Sequence, residues 1–186
     1  MERQLHCTVP VSAVAVLRPH AAVLYAQGSR VHVVGASAAT TQRPVLVLCA
    51  GAVVHGFACA ALAAEPSATL VAAYGGRSAA LFVVRGRADA AGCCTAELLA
   101  ATGALPDACV AARLLGAGNG DGAASAAVLL LGFAHGFVER WCVGAGGALV
   151  RCAGEGRCWP GRDAGEDGSS LVAAMALLPL RAGRVL

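Results

Sequence analysis

The sequence has no lysine and no isoleucine, and its single asparagine is Asn119. All 14 basic residues are therefore arginine, the bias of a GC-rich coding sequence, so the arginines carry no signal of phosphate binding. They are scattered singly from Arg3 to Arg184 under a net charge of +3. That leaves no polybasic run to grip nucleic acid or an anionic membrane. Charged residues are 13% of the chain and aromatics 4%, against 58% hydrophobic. This balance excludes a wholly disordered chain, a coiled coil and an acidic or basic tail protein. Also missing are the G-x-S-x-G elbow, the G-x-x-x-x-G-K-[ST] loop and H-E-x-x-H, which argues against the common hydrolase, P-loop and zincin classes.

The 186 residues suffice for one domain, or part of one. Much of the hydrophobicity comes from 44 alanines, so the mean hydropathy of +0.67 overstates the supply of strong core formers. Nine cysteines (Cys7, Cys49, Cys59, Cys93, Cys94, Cys109, Cys142, Cys152 and Cys158) are odd in number and sit mostly in apolar runs. They fit buried thiols in a reduced, intracellular compartment. The run Val11–Leu17 is too short and poorly flanked for a signal peptide, and no secretion is expected. Val45 to Ala64 is a twenty-residue stretch without formal charge, long enough to cross a bilayer as a helix. His55 and two glycines interrupt it, and no Trp or Tyr flanks it. A small membrane-associated protein with one spanning helix at 45–64 is the alternative reading.

Apolar runs separated by turn residues recur in a four-beat pattern. First beats begin near Val11, Val53, Ala108 and Leu171, spaced 42, 55 and 63 residues apart. Second beats are Ala21–Ala26, Ala68–Tyr74 and Ala126–Phe133; third beats are Arg30–Val34, Ala79–Val84 and Val138–Val143; fourth beats are Pro44–Cys49, Thr95–Ala100 and Ala148–Cys152. Between second and third beats each unit carries a Gly turn after an aromatic-ended run, at Tyr25-Ala-Gln-Gly, Tyr74-Gly-Gly and Phe133-Ala-His-Gly, which is a hairpin signal. Four short antiparallel strands, repeated, predict an all-β chain built like propeller blades. Expected units are 11–49, 53–100 and 108–152, with 171–186 opening a fourth. Ala-rich Ala88–Ala101 has helical propensity as a competing choice.

The order VSAVAVL, VLYAQGSRVHVV, VLVLCAGAVVHGF, LVAAYGGRSAALFVV, LPDACVAARLL, VLLLGFAHGFVERW, ALVRC and SSLVAAMALL resembles the N-terminal blades of the WD repeat-containing protein 6 family. The resemblance covers nearly the whole chain and implies a partial WD40-type β-propeller: about three four-stranded blades plus the first strand of a fourth. It also implies a non-catalytic cytoplasmic scaffold that partners a tRNA 2′-O-methyltransferase acting at the wobble nucleotide, with tRNA as an indirect partner. Trp-Asp itself is absent: Val33-Val34, Val83-Val84 and Trp141-Cys142 stand near its positions. Family proteins are much longer and hold more than one propeller. Blade-signature residues on this reading are His55, Gly56, Phe57, Asp107 and Trp141, all structural. No catalytic residue, metal, cofactor or small-molecule ligand is expected.

Read without the family, the same residues have plain roles. His55 fits a strand histidine bonded to backbone, Asp107 a turn cap, and Trp141 a packed core residue, although beside Arg140 it could stack on a base. Cys142, Cys152 and Cys158, with 9 and 5 residues between them, lack the close pairing of a structural zinc site. A small β-rich enzyme acting through Cys or His (His55, His135), and a fragment that does not fold alone, complete the alternatives.

Overall fold

The computed structural model describes residues 10–35, 46–62, 65–86, 94–116, 125–134, 137–144 and 146–152. Among these the chain is all β, with twelve strands and a single 3-10 turn, Arg18–His20. The first sheet holds β1 (Ala13–Leu17), β2 (Ala22–Gln27), β3 (Arg30–Gly35) and β4 (Leu46–Cys49). In the second are β5 (Gly56–Leu62), β6 (Glu65–Gly75), β7 (Ser78–Gly86) and β8 (Cys94–Ala101). The third comprises β9 (Cys109–Gly116), β10 (Ser125–Phe133), β11 (Val138–Gly144) and β12 (Leu149–Arg151). Each strand pairs antiparallel with its sequence neighbour, and no sheet closes on itself.

Side-chain alternation on β7 shows how the sheets stack. Ala80, Phe82 and Val84 enter a core shared with Leu17, Leu24, Val31 and Val33 of the first sheet. Ala79, Leu81 and Val83 enter a second core with Leu114, Leu129, Leu131 and Phe133 of the third. The central strands β6 and β7 of the middle sheet are therefore buried on both faces, and the sheet lies between the other two. Leu70–Ala73 and Ala79–Val84 read as unbroken apolar runs for that reason.

This arrangement removes two competing helical readings and bears out the strand expected at Thr95–Ala100. Within 45–64, residues 46–49 and 56–62 are strands β4 and β5 of different sheets, so no spanning helix forms there. The apolar run is divided between edge strands of two sheets. No helix among the described residues is long and apolar enough to cross a membrane. Second, 94–101 within the Ala-rich run is β8; pairing with β7 along Gly86–Ala80 overrides helical propensity. The expected fourth-unit strand at 171–186 lies outside the described residues.

Two connections between sheets repeat one geometry. After β4, Ala50 N–H donates to Ser29 O at 2.8 Å and Val54 N–H to Gly28 O at 2.9 Å. After β8, Leu105 N–H donates to Arg77 O at 2.8 Å and Cys109 N–H to Gly76 O at 2.7 Å. Each linker thus crosses the turn of the central hairpin behind it before starting the next sheet. Gly28 and Gly76 hold φ of 60° and 51°, a region costly for side-chain-bearing residues. Ala50, Val54 and Leu105 are buried in the crossing.

Candidate functional site

The five residues expected as blade signatures fall in three places. His55 is exposed at the end of the first linker, where its N–H donates to Tyr74 O at 2.8 Å. Gly56 and Phe57 open β5 and point to opposite faces: Gly56 leaves the space that the Tyr74 ring fills, while Phe57 packs against the first core. Asp107, in the second linker, accepts the Ala108 N–H at 2.6 Å through Oδ1. Trp141 lies on β11 facing the second sheet, packed on the second core, with Nε1 donating to Glu139 Oε2 at 3.2 Å. The structure does not gather them into one constellation.

Buried polar groups that the strand pattern did not single out lie at one sheet junction and within the first and third sheets. His20 Nε2 lies 2.8 Å from Thr69 Oγ1, joining the turn after β1 to the second sheet. Desolvation by burial pushes the His20 pKa below its ordinary 6.5. Glu139, 2% exposed, is held by an ion pair with Arg151 and by the Trp141 indole. The Arg151 side chain is 61% exposed, so the carboxylate is neutralised from the rim of the core. His32 stacks flat on Tyr25 with ring centroids 4.6 Å apart. Its two ring nitrogens have no hydrogen-bond partner among the described residues, and burial, reinforced by Arg30, lowers its pKa.

No family model matches the chain, and no curated protein matches it in sequence. A shallow groove of about 250 Å³ runs between the first two sheets, lined by Val16, Arg18, Cys59 and Thr69 among others. Cys59 is exposed there, and its apolar surroundings push the thiol up to about 11. Such a thiol is a poor nucleophile at neutral pH. Among the described residues no group of three or more His, Cys, Asp or Glu side chains is placed to hold a metal ion.

The outer faces are more distinctive than the groove. On the first sheet, Val14 and Val16 are 63% and 64% exposed, on the face turned away from the core that takes Ala13, Ala15 and Leu17. On the third, Val150 is 60% exposed, on the face opposite Leu149. A signal for these faces existed in the alternation of β1 and β12, once the depth of the stack is known.

Proposed function

We propose that the chain is a non-catalytic, propeller-type scaffold, a cytoplasmic partner of a tRNA 2′-O-methyltransferase that acts at the wobble nucleotide. The observation that carries the repeat reading is the pair of equivalent linkers. Val54 on Gly28 and Cys109 on Gly76 are one hydrogen bond made twice, at the same point of two successive four-stranded units. First strands of successive sheets also lie against each other, β1 on β5 and β5 on β9, as inner strands do in a radial array. The partner and the tRNA pathway rest on the resemblance of the ordered motifs.

The test is co-purification of the tagged chain with a tRNA 2′-O-methyltransferase, read with 2′-O-methylation of the wobble nucleotide in cells with and without the chain. Co-purification, with methylation lost when the chain is removed, supports the reading. A chain that binds no such enzyme, with methylation unchanged on its removal, overturns it.

A further inference from the structure

Cys142 and Cys152 occupy the hairpin of β11 and β12. Cys142 pairs with Val150, and the Cys152 N–H donates to Arg140 O at 3.0 Å, which extends the ladder by one rung. The two cysteines are therefore diagonal neighbours on one face, the face opposite Trp141, Val143 and Leu149, which pack toward the second sheet. Diagonal positions sit farther apart than directly opposed ones in a flat sheet, and right-handed twist draws one diagonal together. Here the sulfurs are 2.8 Å apart, against about 2.05 Å for a disulfide bond. Both side chains are partly exposed as free thiols, whereas Cys94 and Cys109 are buried and Cys59 belongs to another sheet.

We propose that Cys142 and Cys152 form a disulfide site that a small disulfide oxidant, glutathione disulfide, closes. One thiolate attacks glutathione disulfide, breaking its S–S bond, forming a mixed disulfide and releasing one glutathione. The second cysteine, as thiolate, attacks the protein sulfur of that mixed disulfide and releases the other glutathione. The protein loses two protons and two electrons, and one glutathione disulfide becomes two glutathiones. The product staples β12, three residues long and at the edge of its sheet, to β11. Edge strands of this length are held weakly by their ladder alone. Desolvation, with Cys142 alongside, raises the Cys152 pKa, so closure speeds up as the pH rises.

The sequence provides a direct readout. Cleavage after arginine places Cys142 in peptide 141–151, Cys152 in 152–157 and Cys158 in 158–162. The intact chain is incubated with glutathione disulfide in native buffer, capped with iodoacetamide, digested and mapped by mass spectrometry without reduction. The linked pair 141–151/152–157 is expected at least about tenfold above any other linked pair, because these two thiols begin in contact. In concentrated guanidinium its share drops several-fold. Preferential linkage of Cys152 to Cys158, both cysteines capped, a stable glutathione adduct at either, or equal yields in native buffer and guanidinium would each overturn the proposal.

Discussion

His20 and Thr69, 49 residues apart in sequence, meet side chain to side chain at 2.8 Å inside the junction of the first and second sheets. Removing the hydroxyl while keeping the volume leaves a buried imidazole nitrogen without its partner. Thr69→Val is therefore expected to destabilise the fold by about 1–3 kcal/mol, read as a lower urea midpoint at pH 8. A midpoint equal to that of the unsubstituted chain would show that the contact contributes nothing.

His20 at this junction and His32 on the opposite face of the first sheet together predict a pH dependence. Burial lowers the pKa of both His20 and His32 below 6.5, so the unfolded chain binds protons more readily than the folded one. The stability tied to these neutral rings is complete above the unfolded value and is lost as pH falls through 6.5 toward the lower folded values. Urea midpoints should hold level from pH 8 to 7 and fall between pH 6.5 and 5. A flat profile over that lower window would contradict the neutral, buried assignment.

Neighbouring glycines at the β6–β7 turn should respond differently to alanine. At Gly76 an added Cβ meets nothing within 4 Å, and only the positive φ of 51° opposes it, a cost of about 1 kcal/mol. At Gly75 the Cβ would overlap the Val53 carbonyl oxygen of the crossing linker, and backbone must move, at about 3 kcal/mol. Gly75→Ala is expected to unfold at clearly lower denaturant than Gly76→Ala; the reverse order would mean that the linker does not press on the turn.

Glu139 depends on a partner at the rim. Arg151→Ala strips a carboxylate that is 2% exposed of its cation and should cost about 1–3 kcal/mol. Adding Glu139→Gln to Arg151→Ala should recover part of that loss, since a neutral amide is cheaper to bury. A double-mutant cycle on thermal midpoints measures the coupling, and a value near zero would deny the pair a structural role.

Thiol reactivity should separate by environment. Cys109, fully buried with its thiol pushed up to about 12, should resist iodoacetamide in the native chain at any pH the fold survives. Cys59 is reachable but held near 11, so its alkylation should be slow at pH 7 and rise roughly tenfold per pH unit through pH 9. Peptide mapping after timed alkylation distinguishes the two.

The strands were legible because Gly turns such as Gly28 and Gly76 punctuate apolar runs of strand length. The expected runs Ala21–Ala26, Arg30–Val34, Ala79–Val84 and Val138–Val143 fall on strands β2, β3, β7 and β11. The stretch at 45–64 left a spanning helix as an alternative because hydropathy sums over residues without recording that Ala50–His55 turns the chain from one sheet into the next. The polar junctions were hidden for a different reason. Glu139 with Arg151, and Cys142 with Cys152, come together only through the register of β11 on β12, and a one-residue slip would send each pair to opposite faces. His20 with Thr69 requires two sheets to stack, which no local pattern encodes.

Among the described residues strand pairing runs only between consecutive strands, and the two linkers at 50–55 and 102–108 are each clamped by a turn already made behind them. Loop closure for every ladder is therefore short and entropically cheap for a β protein. Assembly can proceed from the N-terminal side in step with synthesis, each finished sheet setting the entry point and direction of the next.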